Sequence, residues 1–360
     1  IVETLAGLGV APHLVTVSTC YVAGSRRGRA PEEPVDASSF FVDVDWRTEV
    51  DAARRIRLDT ETESRTPANL TAFRDEAHGE LGAAGIPSLA AKTEQLRCRW
   101  VDDRMAEAGV ARATSLGFPD AYAFTKALGE IAVAESAGDV PISVVRPAII
   151  ESAHSEPSPG WIRGFRMAEP VIISYARGLL KEFPGVPEGT VDVIPVDFVV
   201  AAICAVAARG PLGPDEGADE GADIVQVASG SVNPLQYGHL VDMVREWFTE
   251  HPIYDEMGQP IPVPQWSFPG RGRVKKQLQR ATRTLERAQK VFEALPVRGR
   301  HAEVGVRLEE QRELIGRAEG YVDLYGAYAE CEAIYGLDHL LGLWDSLDDA
   351  DQAAFNFDPR

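Results

Sequence analysis

Two runs of β-branched residues flank one strongly helical segment, and that order constrains this chain more than any other feature in it. LVTVST (14–19) is an apolar strand pattern that suits a buried position and ends in two adjacent hydroxyls. PDAYAFTKALGEIAVAES (119–136) opens on Pro119 and Asp120, which favour a helix start. ISVVRPAII (142–150) has the composition of a strand buried on both faces of a parallel sheet. Strand, helix and strand in this order predict an α/β fold with a parallel sheet.

The rest of the chain extends the pattern. VDVIPVDFVVAAICAVAARG (191–210) reads as a short strand and then a helix capped by Asp197 and stopped at Gly210. IVQVASG (224–230) is a further strand candidate, and Asn233-Pro234 opens a helix through about Phe248. VETLAGLG (2–9) reads as a helix end with Gly9 as its C-cap, and GSRRGRAPEEP (24–34) as a loop. From about 44 to 110 the chain is charged and helical; in 90–109, Leu96, Trp100 and Met105 fall on one side. PDEGADEGAD (214–223) reads as a solvated acidic loop.

After 260–273 an apolar stripe at heptad-like spacing runs from Val274 to Leu295, and a second helix begins near 302. The two predict an antiparallel hairpin around PVRGR (296–300). Its first helix is basic over 271–290 and its second is acidic, which suits pairing within the hairpin. The sharper alternative is a cationic patch for CoA phosphates or peripheral contact with a membrane.

Charge and cysteine usage remove several classes. The net charge of −19 argues against a nucleic-acid binder. Cys20, Cys98, Cys204 and Cys331 are far apart and show no metal-ligand spacing, so reduced thiols are expected and no metal site is. No apolar run approaches the ~20 residues of a membrane span. With no signal-peptide pattern, a cytoplasmic protein is expected, with membrane association only through 271–290. Ile1 opens inside a helical pattern, which suggests a fragment.

The chemistry concentrates in Tyr122-Ala-Phe-Thr-Lys126. Four residues are about one helical turn, so the phenol and the ammonium share a face. A nearby ammonium is expected to lower the phenol's pKa and ready it for proton transfer. Ligands of doubly wound sheets bind at the carboxyl ends of the strands, where Thr19, Arg146 and Pro147 fall. A hydroxyl and a phenol meeting on one carbonyl oxygen would make an oxyanion site with a proton donor. The plainer readings are strand-end hydrogen bonding for Ser18 and Thr19 and a structural ion pair for Arg146. Likewise, Trp161 reads as packing and Cys20 as a small buried residue.

VSTCYVAG (17–24), YAFTK (122–126) and VVRPAIIES (144–152) in order resemble the extended short-chain dehydrogenase/reductase superfamily. EPSPGWIRG (156–164), DVIPVDFVV (192–200) and NPL (233–235) narrow the resemblance to the alcohol-forming fatty acyl-CoA reductases of the male-sterility type. The tail 321–360 also resembles that family, so nearly the whole chain is covered.

The resemblance implies a partial Rossmann-type doubly wound sheet with a helical insertion and an α-helical C-terminal region. Residues 1–150 would be the C-terminal part of an NAD(P)-binding domain with the insertion at about 30–115. Residues 151–270 would bind substrate, and 271–360 would form the hairpin and C-terminal region. Thr19 would polarise the substrate carbonyl, with Ser18 as its rival. Tyr122 would donate the proton and Lys126 would tune it and hold the nicotinamide ribose. Ser18, Tyr122, Lys126, Arg146, Pro147 and Ile150 would contact the coenzyme, Arg146 to Ile150 as a wall near the nicotinamide.

The implied reaction is NADPH-dependent reduction of fatty acyl-CoA to alcohol by way of the aldehyde. An aldehyde-forming thioester reductase, a sugar-nucleotide epimerase or dehydratase, and a non-catalytic truncated domain are the alternatives. No GxxGxxG or GxGxxG follows a strand here, so the pyrophosphate cradle of the family is missing from this sequence and NADPH is implied by the family alone. A fragment of this kind is expected to be weakly active or inactive by itself.

Overall fold

A computed structural model describes residues 2–8, 12–38, 40–81, 85–164, 168–178, 181–182, 185–212, 222–255, 257–268 and 332–360, with single positions at 276, 280, 283 and 326. The described elements, in chain order, begin with α1 (Val2–Gly7), β1 (Leu14–Val17), β2 (Arg27–Ala30), α2 (Trp46–Ser64), α3 (Pro67–Leu81), α4 (Ile86–Ser115) and α5 (Ala121–Ser136). Next come β3 (Ile142–Pro147), β4 (Ile149–Glu151), α6 (Ala168–Ala176), β5 (Thr190–Val191), β6 (Val193–Pro195), α7 (Val196–Arg209), β7 (Asp223–Val227), β8 (Leu235–Gln236) and α8 (Tyr237–Glu250). β9 (Glu332–Tyr335), α9 (Asp338–Asp345) and α10 (Asp349–Ala354) complete the order. The hairpin expected over 271–330, its basic segment 271–290 and most of the acidic stretch 214–223 lie outside the described residues, as does Gly9.

The chain forms two compact units. The first comprises Ile1–Ser25, Glu33–Arg146 and Gly210–Ile224; the second comprises Arg26–Glu32, Pro147–Arg209 and Val225–Arg360.

In the first unit β1 and β3 pair in parallel, with Leu14 opposite Ile142 and Val17 opposite Val145. The sheet order is β1-β3-β7, so β3 is central and buried at every residue. Ile142, Val144 and Ile224 form a core cluster with Ala137, joined by Leu14 and Val133. Each such side chain contributes about 1.5–3 kcal/mol on burial. β1 is only half-buried and Val17 is 41% exposed, because a terminal strand has a neighbour on one side only. Its apolar sequence had suggested a fully buried strand.

α2, α3 and α4 fill the stretch between β1 and α5. Phe73 and Ala77 of α3 pack on Leu96 of α4, with Leu89 and Trp100 against them. Arg97 is buried and donates to Glu94 Oε1 at 2.6 Å, Glu61 Oε2 at 3.1 Å and Ser64 Oγ at 2.9 Å. A buried guanidinium survives only when its donors are matched in this way.

The second unit contains a finding that local sequence concealed. Residues 27–30 are not loop but a strand, β2, paired in parallel with β9. Arg-Gly-Arg-Ala has poor strand propensity, and its partner lies some 300 residues away in sequence. Gln226 secures the pair by donating through Nε2 to the carbonyls of Ala30 at 2.9 Å and Gly336 at 3.1 Å. Elsewhere in this unit β4 pairs in parallel with β6, and β5 antiparallel with β8. The run expected as one strand over 142–150 is thus split, because Ala148 turns its N–H to Val227 while β4 pairs with β6.

Candidate active site

The site in the first unit begins where β1 stops. Ser18 still belongs to the sheet through its N–H, which donates to the Val145 carbonyl at 2.8 Å. Thr19 then caps a 3-10 turn, Cys20–Ala23, accepting from Tyr21 N at 3.3 Å through Oγ1. The turn ends at Gly24, where φ is +65° and a Cβ would stand 2.9 Å from the Gly117 carbonyl oxygen. Glycine is required there by both conformation and space.

The two hydroxyls have different surroundings. Both are buried, but Thr19 Oγ1 holds a backbone N–H whereas Ser18 Oγ has no hydrogen-bond partner among the described residues. A buried hydroxyl without a partner costs free energy unless a ligand completes it. Cys20 is fully buried and donates to the Arg146 carbonyl at 2.8 Å, as expected for a small core residue.

α5 supplies the phenol and the ammonium. Asp120 caps it by accepting from Ala123 N at 2.8 Å, as its position after Pro119 suggests. Lys126 Nζ donates to the Val17 carbonyl at 2.9 Å and lies 5.9 Å from the centroid of the Tyr122 ring. The lysine thereby ties α5 to the end of β1, immediately ahead of Ser18 and Thr19. Tyr122 is 52% exposed, so its ring is open to a ligand.

The expected lowering of the phenol does not occur. Burial of its inner part, with the Asp120 charge as the lesser cause, pushes Tyr122 above the ordinary tyrosine range. Lys126 spends its ammonium on a carbonyl rather than on the phenol oxygen. Tyr122 is therefore protonated at neutral pH.

Arg146 shows the structural behaviour that was one of its two readings. Its side chain is buried in a double hydrogen bond with Glu130 of α5, Nε to Oε1 at 3.0 Å and Nη2 to Oε2 at 2.6 Å. Nη1 donates to the Glu33 carbonyl at 3.0 Å. With these donors engaged inside the protein, the guanidinium forms a buried structural pair.

In the second unit, Pro147 is buried and Ile150 is 40% exposed. Asp197 is not the cap of α7; it sits in the first turn and turns outward to a loop. It accepts from the N–H groups of His154, Ser155 and Glu156 at 2.9, 2.8 and 3.0 Å, and from Ser155 Oγ at 3.2 Å. Burial would raise its pKa, but the donors outweigh burial and leave the carboxyl at about 2.

Asp192 makes a second clasp, accepting from the N–H groups of Ser229 and Gly230 at 2.8 and 3.0 Å. A Cβ at residue 230 would lie 2.6 Å from its Oδ2, so the clasp needs glycine. Sequence spacing gave no sign of either clasp, because their partners are backbone groups. Nor did it mark Glu151, whose carboxyl rises to about 7 through burial and then the nearby Glu169 charge.

A parallel sheet with a hydroxyl pair at one strand end and a Tyr-x-x-x-Lys helix beside it defines a dinucleotide-binding domain of the Rossmann type. The comparisons specify it further. Residues 2–203 match the model of the male sterility protein family, an NAD-binding domain, and the chain belongs to that family. Fatty acyl-CoA reductase 2 of Arabidopsis thaliana, described as chloroplastic, is 32% identical over 251 residues, covering 69% of this chain and 36% of that protein. The alcohol-forming fatty acyl-CoA reductase of Simmondsia chinensis is 30% identical over 250 residues, covering 69% of this chain and 44% of that protein. The chain thus spans less than half the length of these two relatives. Among the described residues no helix is long and apolar enough to cross a membrane.

Proposed function

We propose that the protein belongs to an NADPH-dependent reductase that converts long-chain fatty acyl-CoA to the fatty alcohol by way of the aldehyde. The observation that carries this reading is the exposed Tyr122 on a helix that Lys126 fastens to the end of β1, directly before Ser18 and Thr19. The names of the relatives supply the substrate class.

The nicotinamide end of the coenzyme fits what is present: an open phenol, a lysine beside it and a buried hydroxyl with no partner. NADPH, when bound, would supply one hydride to the thioester carbonyl carbon, after which the hemithioacetal expels CoA as its thiolate to leave the aldehyde, and a second NADPH would supply the hydride to the aldehyde carbon. Thr19 polarises the carbonyl oxygen and stabilises the negative charge that develops on it. Ser18 completes its hydrogen bonding against the ligand. Tyr122 gives its proton to the alkoxide of the second step, since the phenol is protonated at neutral pH. Lys126 holds the helix in register with the strand end and adds positive charge beside the phenol.

Incubation of the protein with palmitoyl-CoA and NADPH, with products resolved by gas chromatography, tests the reading. Hexadecanol supports it. Hexadecanal as the sole product supports an aldehyde-forming thioester reductase in its place. Formation of neither product, with NADPH or with NADH, is the outcome expected of an inactive fragment and overturns the reading for the chain by itself. Equal rates with the two coenzymes overturn the preference for NADPH.

A further inference from the structure

The loop that follows β4 is built more firmly than a surface connection requires. Its base is closed by two backbone bonds, Ala153 N to the Trp161 carbonyl at 2.8 Å and Gly160 N to the Ala153 carbonyl at 2.9 Å. Asp197 takes the three consecutive N–H groups of His154, Ser155 and Glu156, and the His154 ring packs on Phe198 with centroids 5.6 Å apart. A carboxylate accepting several backbone donors is a strong clamp.

This clamped loop delivers two large apolar side chains to the surface. Trp161 is 42% exposed and Ile162 is 39% exposed. Packing had been the plainer expectation for Trp161. Arg163 follows them, exposed and with no ion pair among the described residues. An apolar pair next to an open cation complements a ligand with an apolar chain and a phosphate-bearing head, and β4 and its loop hold it at the carboxyl end of a parallel strand, where α/β proteins bind ligands.

We propose that Trp161 and Ile162 form a contact surface for the acyl chain of a fatty acyl-CoA, and that Asp197 is the positioning residue that holds this surface in place. The proposal rests on the substrate class proposed above and adds where the chain is bound. Asp197 touches no substrate; it acts through the backbone of the loop.

Titration with palmitoyl-CoA, followed by tryptophan fluorescence, tests it against free CoA. The intact protein is expected to show saturable quenching with palmitoyl-CoA at an affinity at least ~10-fold above that for free CoA. Trp161→Ala and Asp197→Asn, the former followed through the remaining tryptophans and by equilibrium dialysis, are each expected to weaken palmitoyl-CoA binding about 10-fold and leave free CoA binding unchanged. A general loss of structure would weaken both ligands together. Asp197→Asn is also expected to hasten tryptic cleavage after Arg163. Trp161 is surface-exposed, so its removal stands as a test even if Asp197→Asn does not fold. Unchanged palmitoyl-CoA affinity in Trp161→Ala overturns the acyl surface, and unchanged affinity and cleavage in Asp197→Asn overturn the positioning role. If palmitoyl-CoA binds in this way and is not reduced, the proposed reaction falls and this inference stands; if it is reduced while both variants bind it normally, the reverse holds.

Discussion

The first turns of α5 and its middle carry polar side chains under opposite conditions. Near its start, Tyr122 and Lys126 place a phenol and a cation where solvent and ligands reach them. One turn further on, Glu130 is buried against Arg146 with both carboxylate oxygens engaged. The contrast separates what fixes the helix from what uses it. The buried pair locks α5 to β3, and that lock lets the exposed pair hold a defined position without being paid for in mobility.

Breaking the buried pair gives the largest expected effect on folding. Glu130→Ala strands the Arg146 guanidinium inside the core and should destabilise by about 3–5 kcal/mol, read as a lowered urea midpoint. A double replacement by Leu and Met should recover most of that loss, and equal loss in both variants would contradict the lock. At the exposed end, Tyr122→Phe should leave the midpoint within about 0.5 kcal/mol of the parent. It should lower alcohol formation by ~10²–10⁴-fold.

The hydroxyl pair sharpens the same contrast. Thr19→Ala removes both the polarising hydroxyl and the cap of the 3-10 turn, so a rate loss of ~10²–10³-fold is expected together with a lower melting temperature. Ser18→Ala removes a buried hydroxyl that has no partner and should be neutral or slightly stabilising. The reverse ordering of the two melting temperatures would show that the cap carries no stability.

Two pH effects are smaller. Asp120 helps to raise the Tyr122 phenol, so Asp120→Asn, which keeps the cap, should move the alkaline limb of the rate profile to lower pH. Glu151 is raised from 4.5 to about 7. Its protonated form is the one the fold favours, so its contribution is full below pH 4.5 and is lost as pH rises through 7. The melting temperature should therefore decline between about pH 4.5 and 7, a decline that Glu151→Gln removes.

Much of this molecule is legible along the chain because its signals are local. The start of α5 is written in Pro119-Asp120, the shared face of Tyr122 and Lys126 in their four-residue spacing, and the buried centre of the sheet in Ile142, Val144 and Val145 of β3. Long-range matters are not legible. The pairing of Arg27–Ala30 with Glu332–Tyr335 depends on two segments with little strand preference meeting across most of the chain. Asp197 reads as a helix cap because Asp near a helix start usually is one; its real donors lie about forty residues earlier and are backbone groups, which carry no residue signature.

The sequence by itself determined the α/β class, the order of strand and helix, and the residue types available at the strand end, since each follows from periodicity and composition within a short window. Only the tertiary structure decided how those residues are used. It buried Arg146 against Glu130, left Tyr122 open, raised the phenol that spacing suggested would be lowered, and gave Thr19 a backbone partner while leaving Ser18 without one. The physical reason is that burial, charge and hydrogen-bond satisfaction depend on neighbours distant in sequence, and the local pattern does not name them.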